Sequence, residues 1–253
     1  MNLFQLKSSQ TIVKSRYFDS IKPKGESLDG PSETIEFHVQ TQGTTGIMLN
    51  ESCLEVEGKI MKQNATTGAL EDLVEQDSCG PINFFLANLF SKAEMSSGEV
   101  DLNRIRVCQN HVQYCRALLN DTSNPISKAE LSAQMASRDE EDIDAKDPFA
   151  DAGVSKTFKD RATDCKLSKK FSVRGRVCLD IFELDRIWLP GTELTIKLTQ
   201  NDSKFLLMAK DSTVKYVFKL LKIRLILCKY KLYSSGIKVI CPQANTLTFY
   251  IDA

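Results

Sequence analysis

In RVCLDIFELDRIWLPGTELTIKL, residues 176–198, apolar side chains fall at every second position on both sides of a short aromatic link. Val177, Leu179 and Ile181 share one side of an extended chain, and Arg176 and Asp180 the other. Past ELDRIWLPG, Leu194, Ile196 and Leu198 alternate with Glu193, Thr195 and Lys197. A period of two is what a strand needs when one face is packed and the other is wet. No obvious reactive group interrupts the pattern, so the stretch reads as two strands built for packing and pairing.

The same rhythm extends in both directions. Phe171 and Val173 continue the first of these strands upstream, with Ser172 and Arg174 facing out. In TIEFHVQ, Ile35, Phe37 and Val39 oppose Glu36, His38 and Gln40; in CLEVEGKIM, Leu54, Val56 and Ile60 oppose Glu55, Glu57 and Lys59. The glycine-containing link TQGTTG separates those two strands. GPINFFLANLFSKAEMSSGEVDL predicts a short apolar turn or helix at 82–89 and then a strand pair turning near 96–98. QNHVQYCRALLN is the best helix candidate, because Val112, Cys115, Leu118 and Leu119 share a face at helical spacing.

Elsewhere the pattern weakens. Residues 1–29, rich in Lys, Ser and Gly, are expected to be a flexible arm ahead of a main domain at 30–234. Residues 120–165 lose periodicity, and SRDEEDIDAKDPFADAG reads as a long acidic surface loop. In VKYVFKLLKIRLILCKYKLY, Lys215 and Lys219 fall on odd positions but Lys222 and Arg224 on even ones, so a bulge near Leu220 and Leu221 is needed to restore the register. Residues 235–253 form a tail that could supply one more strand. Many strands joined by long connections make the chain all-β, with a jelly-roll β-sandwich the best fit. An immunoglobulin-type sandwich needs only about 100 residues and shorter links.

Thirty-three basic and thirty-three acidic side chains leave no net charge, so overall charge names no partner. The eight cysteines have no paired short spacings, and MNLFQLKSSQTIVKSR lacks the apolar core of a signal peptide, so reduced thiols in an intracellular protein are expected. No apolar run reaches the roughly 18 residues of a membrane-spanning helix, and no membrane contact is expected.

Catalytic spacing is mostly missing. There is no GxxxxGK[ST], GxSxG or HExxH, and the only histidines are His38 and His111. Cys108, His111 and Cys115 could share a helical face toward zinc, but they lack a CxxC pair and a fourth ligand, which favours ordinary packing cysteines. His38, between Glu36 and Gln40, reads as a solvated histidine. DEEDID lacks the glycine turn and terminal Glu of a calcium loop, so a solvated acidic loop is the better reading. No catalytic residue, cofactor or metal ligand is therefore assigned. The run at 215–231 could contact nucleic acid weakly through Lys215, Lys219, Lys222, Arg224, Lys229 and Lys231. Lysines on an exposed strand also defend an edge against pairing. A carbohydrate-active jelly roll would need two facing carboxylates, and the acidic cluster offers no such pair.

In order, GPSETIEFHVQ, ESCLEVEGKIMK, PINFFLANLFSKAEM, HVQYCRALLN and VRGRVCLDIFELDRIWLPGTELTIKLTQNDSKFLLM resemble the capsid proteins of Polinton (Maverick) elements and their adintovirus relatives. The similarity spans residues 30–233 and is most specific over 173–208. It implies a double jelly-roll major capsid family, whose two tandem barrels assemble as pseudo-hexagonal trimers in an icosahedral shell. Only the first barrel is matched here, which suggests a truncated, genome-integrated copy with residues 235–253 as a possible remnant of the second. A minor, penton-like protein with one barrel is the other expectation. The resemblance carries no active site. It implies self-association with its own kind and other capsid proteins, in a virion if the element is active.

Overall fold

The computed structural model describes residues 13–25, 34–102, 125–136, 146–150 and 153–233, together with His111 and Cys115. Alternating segments become strands as expected. β1 is Val13–Ile21, β2 Thr34–Gln40, β3 Thr45–Gln63, β4 Leu70–Asp72, β5 Cys79–Pro81, β6 Phe90–Ser97 and β7 Val100–Asp101. β8 is Phe171–Gly175, β9 Ile187–Trp188, β10 Glu193–Gln200, β11 Leu207–Ala209 and β12 Lys215–Leu232.

Their pairing defines the topology. Taking β1, β2, β3, β6, β7, β8, β10 and β12 in chain order, the first pairs with the last, β2 with β10, β3 with β8, and β6 with β7. That nesting is a long antiparallel hairpin, and rolling it up adds the β12–β3 and β10–β6 ladders. Two sheets result: one carries β1, β12, β3 and β8, the other β2, β10, β6 and β7. This is a jelly-roll β-sandwich. β4 and β9 extend the first sheet beside β3, and β5 and β11 form a separate pair. TIEFHVQ and CLEVEGKIM, neighbours in the chain, thus lie in opposite sheets.

Inward faces of the two sheets meet in one core. Ile35, Phe37, Val39, Leu194, Ile196, Leu198, Ala93 and Met95 come from the second sheet, and Leu54, Val56, Ile60, Val173, Leu225 and Leu227 from the first; all are buried. Phe84, at φ 55°, introduces the short helix Phe85–Asn88, which lies within the stretch 82–89 where a short apolar turn or helix was expected. Phe85 from this helix meets Phe171 and Phe218 edge-on, with ring centroids 5.6 Å and 5.0 Å away. Such aromatic pairs add about 0.5–1.5 kcal/mol each beyond area burial. Gly58 leaves the space that Phe218 occupies: a Cβ there would collide with the ring and lie 2.8 Å from the Lys219 carbonyl oxygen.

The expected bulge in β12 is present. Leu220 stands opposite Gly58 and Lys222 opposite Glu57, so Leu221 is the extra residue. Before it Tyr216, Phe218 and Leu220 are buried; after it Ile223, Leu225 and Leu227. A second irregularity places Cys228 opposite Met48. There the Ser52 hydroxyl donates to the Met48 carbonyl (2.7 Å) and accepts from the Cys228 amide (3.0 Å), closing the gap.

Several expectations are corrected. Residues 1–29 are not wholly an arm, because Val13–Ile21 pairs along β12 and belongs to the sheet. Its residues are exposed or half-buried on both faces, so no period-two burial signal marks it. The strand expected through Ile181 ends at Gly175; a 3-10 turn at Asp180–Glu183 follows and buries Phe182 instead of Ile181. Residues 120–165 are not a structureless excursion. They include helices Pro125–Ala133 and Lys156–Cys165, the second burying Phe158, Ala162 and Cys165. Most of the helix candidate QNHVQYCRALLN, most of the acidic stretch and the tail from residue 234 lie outside the described residues; of the first, His111 and Cys115 are helical and exposed.

Candidate assembly surface

Among the described residues, no group of three or more His, Cys, Asp or Glu side chains gathers in a way that could hold a metal. Cys108 lies outside them. His38 stands on the outer face of β2, 2.9 Å from Glu36 and 3.4 Å from the Thr195 hydroxyl, with about half its side chain exposed. An apolar recess of about 10 Å³, lined by Leu54, Phe90, Val177 and Leu198 among others, has room for no more than a water-sized group. No described helix is long and apolar enough to cross a membrane.

The basic strand is not an uncompensated stripe. Arg224 donates from Nε (3.0 Å) and from its terminal nitrogen (2.5 Å) to Glu55 on β3, and Lys229 meets Asp19 on β1 at 2.6 Å. Lys222 is exposed but stands opposite Glu57 in the ladder. Lys215 and Lys231 are exposed, and Lys219 is half-buried. Acidic residues on the flanking strands therefore offset much of the charge that the six cations would present to a phosphate backbone.

The most unusual surface is β1. It forms the outer member of the large sheet, with β12 on one side and no described strand on the other. Tyr17 and Phe18, consecutive and so on opposite faces, are 44% and 54% exposed. A polar cluster holds the strand down. One oxygen of Glu51 accepts from the Cys228 thiol (3.0 Å) and the Tyr230 hydroxyl (3.0 Å), and lies 2.9 Å from Arg16. Arg16 Nε also donates to Cys228 Sγ at 3.2 Å. Burial pushes the Cys228 thiol pKa up and its bond to Glu51 adds to this, while Arg16 acts the other way. The thiol keeps its proton and serves as a donor. Burial, then Glu51, likewise raises Tyr230.

Sequence reading singled out none of Arg16, Tyr17, Phe18 or Glu51. The signal available was the pair Tyr17-Phe18 between charged neighbours, which breaks alternation and looked like an arm.

No protein-family model and no curated protein matches this chain. Solved structures do. A chain of the cryo-EM structure of the Sputnik virophage superposes with a TM-score of 0.60 at 11% identity, covering 92% of this chain and 51% of that one. PBCV-1 VP54, as fitted into a cryo-EM reconstruction of Sputnik, gives 0.52 at 9% identity, covering 93% and 46%. A chain of the PBCV-1 virus capsid quasi-atomic model gives the same values. This chain thus spans about half the length of the chains it matches, and shares their fold.

Proposed function

We propose that the chain is a structural, non-enzymatic capsid-type subunit that acts by associating with copies of itself and with other capsid proteins. The observation that carries this is the likeness across more than nine-tenths of the chain to chains of the Sputnik and PBCV-1 virus structures. The strand nesting supports it independently of any sequence identity. On this reading the work of the molecule is done by repeated weak interfaces of roughly 1,000 Å² or more, and the outer surfaces of the sandwich carry it. The finer reading is a Polinton-type, transposon-borne subunit that forms homotrimers and enters a virion, with the domain expected at 30–234, extended to take in β1 from Val13, equivalent to the first of two barrels.

Electron microscopy of the purified protein, with molecular mass by light scattering, tests the proposal. Trimers or larger ordered particles are expected. A monomer retained on DNA in a salt-dependent way would favour a nucleic-acid-binding module instead.

A further inference from the structure

We propose that the outer edge of β1 is a self-pairing site, where β1 of a second copy adds antiparallel about a two-fold axis through Tyr17. The inference rests on the assembly reading above and names the surface that performs it.

An edge strand presents a row of backbone donors and acceptors to any strand that can reach it, and folded proteins usually blunt such edges with lysine, proline, a central bulge or a covering segment. β1 has few of these defences. Its sequence, VKSRYFDSI, holds no proline. Its register against β12 runs without a break from Ser15 to Ile21. Of its three charges, Arg16 is drawn back to Glu51 and Cys228, and Asp19 to Lys229. Only Lys14 is left to guard the edge. The strand is also long: nine residues reach about 30 Å at 3.3 Å each.

The occupant follows from the pairing rules. In an antiparallel ladder, directly opposed residues either both turn their backbone groups toward the other strand or both turn them away, and their side chains lie on the same face. Two copies of one strand meet this condition only if the two-fold axis passes through a residue. An axis through Tyr17, the middle of Val13–Ile21, is the choice that pairs all nine positions. It sets Tyr17 against the partner's Tyr17 and Arg16 against the partner's Phe18, twice by symmetry. Within one chain, Arg16 already lies 5.1 Å from the centre of the Phe18 ring. Pairing would therefore build a four-membered cation–aromatic cluster on one face and an aromatic pair on the other, and each such cross-strand contact is favourable. Moving the axis to Arg16 would oppose like charges. An isologous contact of this kind is closed and makes a dimer, so a larger assembly would use it as one link among others.

The test uses the full chain. Tyr17→Lys and Tyr17→Glu each place like charges face to face on the axis, and Tyr17 is exposed enough that the monomer tolerates both. Sedimentation equilibrium should show each variant self-associating about tenfold more weakly than wild type, from the lost aromatic pair and the repulsion. An equimolar mixture of the two should recover association, since lysine then faces glutamate. Unchanged unfolding midpoints would show that the fold is intact. Amide exchange at the β1 positions whose N–H faces away from β12 should slow as wild-type concentration rises, while the alternate amides bonded to β12 serve as the internal control.

Unchanged association in both variants would overturn the β1 site and leave the assembly reading standing. Weakening without recovery in the mixture would overturn pairing about Tyr17. Protection of the β1 amides that face away from β12, at every concentration in a monomer, would mean that another segment of the same chain covers the edge, which also overturns it. A wild-type chain that stays monomeric with its outward-facing β1 amides unprotected would sink both readings together.

Discussion

Replacing Gly58 with alanine should destabilise the sandwich, although an alanine in a strand is ordinarily better than a glycine. The added Cβ would lie 2.3 Å from Cζ of the Phe218 ring and 2.8 Å from the Lys219 carbonyl oxygen, closer than non-bonded neighbours of real Cβ atoms come. The carbonyl belongs to the β12 ladder and cannot move without loosening it. The ring cannot swing freely either, because it is packed against Phe85 at 5.0 Å and Phe171 at 5.7 Å. Overpacking of this kind costs about 1–3 kcal/mol. Rotating Phe218 away would forfeit two aromatic contacts, again about 1–3 kcal/mol in all. Against this stands roughly 0.5–1 kcal/mol gained by restricting the unfolded chain. The expected net loss is about 1–2 kcal/mol. Urea unfolding should show it as a lower midpoint with an unchanged slope. In a Phe218→Leu background the same change should cost about 1 kcal/mol less, since leucine lacks the far edge of the ring. A Gly58→Ala protein as stable as wild type, or an equal cost in both backgrounds, would refute the reasoning.

Ser52→Ala should cost about 2 kcal/mol, because it strips a partner from the Cys228 amide and from the Met48 carbonyl at a 1%-exposed site; chemical denaturation measures it. Asp147 should make stability acid-sensitive. Burial raises its pKa, but bonds from Ser78, Lys210 and the Phe149 amide more than offset this and hold it below the usual value. Its contribution is then complete above the ordinary carboxylate pKa of about 4 and is lost as pH falls through the lowered native value. Asp147→Asn should flatten that limb of a stability-versus-pH curve. Among the described cysteines, Cys79, whose thiol burial pushes up to about 12, and Cys165, raised by the same cause, should resist alkylation in the native protein. Exposed Cys115 should react first, which mass spectrometry after a short pulse of reagent would show.

β2, β3 and β10 were legible because each has one wet and one packed face, which is the condition that writes a two-residue period into a sequence. The bulge at Leu221 was legible for the same reason, since charge changed parity there. β1 was not, because a strand held by backbone pairing and a polar cluster need not alternate. The 3-10 turn at Asp180–Glu183 was hidden by a run that alternates through Ile181, while the larger Phe182 took the buried place. Helix Lys156–Cys165 did carry a signal, Phe158, Ala162 and Cys165 at helical spacing, but three inward apolar residues, with Arg161 buried beside them, made a faint stripe among many polar ones. The surface charge balance was beyond local reading. Glu55 and Asp19, which answer Arg224 and Lys229, lie 169 and 210 positions away along the chain.

Sedimentation velocity of the purified chain over a wide concentration series tests the central idea most directly. A sandwich whose task is to meet its own kind should shift from monomer to trimer or larger species as concentration rises, at physiological salt and without nucleic acid. One sharp monomer boundary at every concentration would contradict it.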